Sequence, residues 1–144
     1  MNLNQIKNYL KKWFKKSPFV NTVIVSAKDD FAGVRDVNYP VVHLEYVNSQ
    51  TNSNYNVYVF SITVADIQNN RIVNRNIDDI QNDCQLIAQD FIDYHSENID
   101  QFEFDENIQI IPFEETNPDR TAGVTFAVRL SVFREKNICI IPTN

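Results

Sequence analysis

The sequence predicts one α+β domain over residues 1–144, a mostly antiparallel sheet of five to six strands with two helices packed on one face. Three observations lead there. Two segments repeat apolar residues at three-and-four spacing, the mark of a helix with one buried stripe. Several others alternate apolar with polar residues or run rich in β-branched side chains, as strands do. Their order is helix, three strands, helix, then two or three strands, which is not the alternation of a doubly wound parallel sheet. The second helix is therefore expected to cross between the two strand groups.

Asn2 to Lys16 places Leu3, Ile6, Leu10, Trp13 and Phe14 on one stripe, with Lys7, Lys11, Lys12, Lys15 and Lys16 around it. Ser17-Pro18 ends this helix, because proline pushes the residue before it out of the helical region. Phe19 to Ala27, FVNTVIVSA, reads as a strand and Lys28 to Asn38 as a polar loop. Pro40 to Val47 sets Val42, Leu44 and Tyr46 against Val41, His43, Glu45 and Val47, a strand with one wetter face. The turn-forming NSQTNSN, Asn48 to Asn54, joins it to the strand Tyr55 to Ala65 in a long-tipped hairpin.

Ile77 to His95 gathers Ile77, Ile80, Cys84, Ile87, Ala88, Phe91 and Tyr94 on one helical arc, with Asp78, Asp79, Asp83, Asp90 and Asp93 opposite and Asn76 or Asp78 as N-cap. Asn107 to Phe113, Gly123 to Arg134 and Asn137 to Ile141 read as strands, with a type I turn at Asn117-Pro118-Asp119. Within the long one, Val124, Phe126, Val128, Leu130 and Val132 point inward.

Composition narrows the function classes. With 43% apolar, 12% aromatic and 22% charged residues the chain can build a core without disulfides or metals. Its net charge of -6 and pI near 4.8 argue against nucleic acid held through the overall field. Two glycines, Gly33 and Gly123, build neither a dinucleotide fingerprint nor a P-loop. Cys84 and Cys139 read as small core residues rather than activated thiols. No apolar run approaches the roughly 20 residues of a membrane span, and no signal-peptide pattern opens the chain, so a reduced cytosolic protein is expected.

Candidate chemistry is sparse. His43 and His95 stand at no spacing that makes a zinc pair. His43 shares a strand face with Glu45; a base held by a carboxylate has this form, and so does a surface or interface pair. His95 is expected just past the last turn of the second helix, protonated and favoured by the helix dipole and the local acids. Asp29, Asp30 and Asp36 fit no calcium loop. No catalytic residue, cofactor or metal ligand is assigned.

Charge is strongly partitioned, +5 over residues 1–16 and -10 over residues 77–106. Three readings are open. Each helix wets its outer face; or the basic helix of one copy meets the acidic helix of the next in a head-to-tail ring, Lys11 and Lys15 against Asp83 and Asp90; or the first helix lies on a membrane. Against the third, its apolar stripe is what a sheet needs covered, and Trp13 is expected in the core. Leu86, among the acids of the second helix, and Phe133, on the non-core face of the last long strand beside Arg129 and Ser131, are exposed apolar groups that suit a partner. The candidate interface is Lys11, Lys15, Asp83, Leu86, Asp90 and Phe133.

In their order, the stretches YNVYVFSITVAD, NIDDIQNDCQLIAQDFIDYH, NIQIIPFEE and AGVTFAVRLSVFREKNICIIP resemble the tail-terminator and neck-ring, or head-tail joining, proteins of tailed bacteriophages. The resemblance covers most of the chain. It implies a structural virion protein, a homo-oligomeric ring of six-fold or twelve-fold symmetry around the DNA channel, made in the host cytoplasm. Its implied partners are copies of itself and adjacent neck, portal or tail proteins, with DNA passing through the lumen without specific binding and with no enzymatic activity, cofactor or membrane. The tip Asn48 to Asn56 and the loop Lys28 to Asn38 would project toward neighbouring copies or rings. The basic first helix departs from the simplest pattern and leaves the position in the neck open. A small non-viral protein-binding module using the exposed sheet face is the alternative, and an enzyme centred on His43 and Glu45 a further one.

Overall fold

A computed structural model describes residues 1–25, 39–67, 73–97, 102–105, 107–114 and 121–134. Helix α1, Leu3–Lys15, begins with a capping box: the Gln5 N–H donates to Asn2 Oδ1 at 2.9 Å and the Asn2 N–H donates to Gln5 Oε1 at 2.8 Å, which satisfies two amide donors that a helix start leaves free. Lys12 and Lys15 occupy its last turn, where positive charge favours the free carbonyls. Ile6, Leu10 and Phe14 are fully buried.

Six strands make one sheet, β1 Thr22–Val25, β2 Val41–Thr51, β3 Tyr55–Ile67, β4 Glu103–Phe104, β5 Ile111–Glu114 and β6 Thr121–Phe133, and the second helix, α2, spans Val73–Glu97. The order is β1-β2-β3-β6, with β4 and β5 both pairing the free side of β6. Only β1–β2 is parallel among the described pairings. β3 and β6 run together from Tyr55↔Phe133 to Ile67↔Thr121. Gly123 lies in this pairing where a Cβ would fall on the Val64 carbonyl oxygen, so no side chain fits without displacing β3.

Strand alternation sorts the residues by face. Val42 and Leu44 of β2, Phe60, Ile62 and Val64 of β3, and Val124, Phe126, Val128 and Leu130 of β6 meet α1 and α2 in one core, to which α2 brings Ile80, Cys84, Ile87, Ala88 and Phe91. Both helices lie on this face, and α2 carries the chain from β3 to the strands around β6.

Several boundaries differ from those the sequence predicts. The strand expected over 19–27 starts at Thr22, because the chain is still turning: Ser17 N–H donates to Phe14 O at 3.1 Å and Val20 N–H to Ser17 O at 3.3 Å. β2 continues through the polar run to Thr51, with a bulge between Tyr46 and Asn48, since ladder bonds come from the backbone whatever the side chains. The hairpin tip therefore shrinks to Asn52–Asn54, where Asn52 Oδ1 accepts from both the Asn54 and the Tyr55 N–H. α2 begins four residues before Ile77, which puts both expected N-caps, Asn76 and Asp78, inside it; apolar periodicity marks only the stretch that faces the core.

Of the strand expected over 107–113 only Ile111–Glu114 follows a ladder, while Ile108 and Ile110 pack on the core without one, and the two-residue β4 was not expected. The wetter face of β2 is dry at its start, with Val41 fully buried and His43 1% exposed. The loop over 28–38, the turn over 117–119 and the strand over 137–141, Cys139 included, lie outside the described residues.

Candidate functional site

Helix α2 meets two aromatic regions. Near its C-terminal end His95 is fully buried, not solvated and charged as its sequence position implies. Its Nδ1 lies 2.7 Å from the Phe91 carbonyl oxygen, which can only accept, so this nitrogen carries the proton; Nε2, 2.8 Å from Tyr9 Oη, then accepts the tyrosine O–H. Burial lowers the imidazole pKa and the Phe91 carbonyl only partly opposes that. Trp13, Tyr94, Phe102 and Phe104 pack around the ring, and Phe91 stacks on Phe14 at 5.1 Å. Trp13 is half-buried at the edge of this cluster rather than enclosed, in contact with Phe14, Phe91, Tyr94 and His95.

The second region is open. Where α1 ends, Pro18 and Phe19 cross beside the middle of α2 and leave a groove of about 560 Å³ lined by Phe19, Pro40, Asp66, Asp83, Leu86 and Asp90. It continues past Phe19 and Asp90 into a hollow of about 480 Å³ reaching Trp13, Lys16 and Tyr94. Phe19 is 66% and Leu86 52% exposed, so the apolar floor is largely in contact with water.

Acids rim that floor. Burial pushes the Asp66 carboxyl above its ordinary range, the Ile67 N–H at 2.8 Å pulls it back, and the nearby Asp83 raises it further. In the groove wall the Cys84 thiol is pushed up to about 12, first by burial and then by Asp66 and Asp83, so it stays protonated and is no nucleophile. An apolar floor with a carboxylate rim is suited to an apolar segment that carries positive charge.

Three of the residues singled out from the sequence, Asp83, Leu86 and Asp90, come together here. Lys11 and Lys15 do not join them. Lys7 Nζ stands 5.4 Å from the centroid of the Tyr46 ring of β2, and Lys11, one turn on, shares that flank of α1, away from the Tyr9–Trp13 side that meets α2. Phe133 lies at the opposite end of the sheet, on the face without helices, 68% exposed and edge-on to Tyr55. Phe19, which the sequence places at the start of a strand, and Asp66, to which Asp83 is brought close only by folding, are not marked by the sequence as site residues. The break at Ser17-Pro18 was the one local signal that Phe19 leaves regular structure.

His43 is buried in β2 between Ile24 and Thr63, and Glu45, two residues on, is half-buried. Among the described residues no three His, Cys, Asp or Glu side chains stand together as a metal site, and no helix is long and apolar enough to cross a membrane. What fold and site define is a class: an α+β domain with an acid-rimmed apolar groove at one end of its sheet and an exposed aromatic at the other. No protein-family model and no curated protein matches the chain.

Proposed function

We propose that the chain is a structural subunit of the neck or tail of a tailed bacteriophage, a tail terminator or head-tail connector that assembles with copies of itself into a ring around the DNA channel. The observation that supports this beyond the resemblance of its stretches is the pair of apolar patches. Phe19 and Leu86 are open at one end of the sheet and Phe133 at the other, on a domain whose net charge is concentrated in separate segments. Single exposed apolar residues are ordinary, whereas a groove of them rimmed by charge is typical of a surface that is covered in the assembled state. The acid-rimmed groove and Phe133 lie at opposite ends of the sheet, which favours contacts that pass from copy to copy over a self-matched pair.

Negative-stain images and native mass of the purified chain at high concentration test the reading. Closed rings with a single copy number are the expected result. A chain that stays monomeric, alone and with phage neck components, would overturn it in favour of a binding module working through the exposed sheet face around Phe133.

A further inference from the structure

Resting on that self-association, we propose that the groove of one copy receives the hairpin end of the next, Phe133 filling the space beside Phe19 and Leu86 and Arg134 turned toward Asp83 and Asp90. The groove requires an occupant that is apolar and cationic together. The lysines of α1 supply charge alone, because Leu3, Ile6, Leu10 and Phe14 of that helix face inward. Phe133, at 68%, is the most exposed large apolar side chain among the described residues, and it is followed directly by Arg134 and preceded on its face by Arg129. Glu103, across from Ser131, and Asp105, whose N–H donates to Arg129 O, are acids beside Arg129, and Glu45 stands farther along the same face, so Arg134, directly after Phe133, is the cation that would meet the groove acids.

The knob is held in place before any contact forms. Phe133 packs edge-on to Tyr55 at 6.0 Å, the Arg134 N–H donates to Asn54 O at 2.7 Å, and its guanidinium donates to Asn52 O at 3.1 Å. An aromatic anchor fixed in advance loses little freedom on docking, and aromatic and arginine side chains dominate such contacts.

Distance decides that the occupant is a second copy's end and not the chain's own. β3 runs its 13 residues from Tyr55, beside Phe133, to Ile67, beside the groove residue Asp66. At about 3.3 Å per residue that is about 40 Å. A contact made at one end thus leaves the other end of each copy free, and the addition repeats from copy to copy, closing into a ring where the rotation between copies closes.

Two variants test it by sedimentation, with circular dichroism confirming that each is folded. Phe133→Asp removes the knob and leaves the groove; Leu86→Lys with Asp90→Lys spoils the groove and leaves the knob. Each alone is expected to associate at least about tenfold more weakly than the unsubstituted chain. Mixed together they are expected to form a one-to-one dimer through the single intact pair of surfaces, and to stop there. Rings that survive both variants, or that are lost instead in Lys11→Glu with Lys15→Glu, would overturn this contact and leave the ring standing. An unsubstituted chain found as a dimer that both variants break would keep the contact and overturn the ring, while an unsubstituted chain that stays monomeric, alone and with phage neck components, would overturn both.

Discussion

The two aromatic regions along α2 are built from similar side chains and do opposite things. Around His95 the rings pack on one another: Tyr9 and Trp13 come from α1, Phe91 from α2, Phe102 from just before β4 and Phe104 from β4, and the imidazole at the centre has both nitrogens hydrogen-bonded. Two turns earlier, Phe19 and Leu86 flank a space that nothing among the described residues fills, with carboxylates at its edge. The closed region fastens the helices to each other and to the sheet; the open one leaves apolar surface unsatisfied. Aromatic content does not separate a core from a docking surface. Enclosure and the sign of the neighbouring charge do.

The largest expected effect breaks the closed region. Phe91→Ala removes a fully buried ring that stacks on Phe14 and touches Trp13 and His95, and should cost about 3 to 5 kcal/mol in denaturant unfolding, since lost transfer energy adds to the cavity left behind. A cost near zero would mean that the cluster is not packed as described. Trp13→Ala comes next. Because the indole is half-exposed, about 2 kcal/mol is expected rather than the full value for a buried aromatic. Its emission should be only partly blue-shifted in buffer and unmoved by anionic vesicles.

Tyr9→Phe leaves the Nε2 of a buried histidine without its donor and should cost about 1 to 3 kcal/mol. Burial gives the two regions opposite pH dependence, because the charged form it disfavours is the protonated one for an imidazole and the deprotonated one for a carboxyl. His95 has its pKa lowered on folding, so the unfolded chain binds the proton more readily; the stability linked to it is complete above about 6.5 and is lost as pH falls from there toward the lower folded value. Asp66, whose pKa is raised, contributes the other way: its share is full below 3.8 and is lost as pH rises through the raised folded value. Between pH 7.5 and 5 the His95-linked share is lost, so over that range the melting temperature of His95→Gln should fall less, or rise more, than that of the unsubstituted chain. An unchanged slope in the variant would place the titration elsewhere.

The smallest effect sharpens the comparison from the open side. Leu86→Ala should change stability by no more than about 0.5 kcal/mol, since the side chain is already 52% in water. A loss of several kcal/mol would show that the groove is closed in the folded monomer and belongs to the core.

Local sequence determined the element types. The three-and-four spacing from Leu3 to Phe14 and from Ile80 to Phe91, and the strict alternation from Val124 to Val132, each demand one buried face whatever the fold, because side-chain direction follows the backbone period. From the order of those elements came the α+β class and the placement of both helices on one face. Ends were less legible: the polar run Asn48–Thr51 pairs as well as any apolar strand, and Val73 to Asn76 extends α2 without an apolar signal, because backbone hydrogen bonds do not depend on side-chain polarity.

What only the tertiary structure decided were the meetings of distant residues. Tyr9 and His95 are 86 positions apart, and no local feature of either segment marks them as partners. His95 could be read as a solvated helix-end cation until the fold enclosed it, and Leu86 as a lone surface leucine until Phe19 was brought beside it. The physical reason is that periodicity fixes which way a side chain points relative to its own element, whereas burial, protonation and exposure depend on what another element places opposite, and that is set by packing alone.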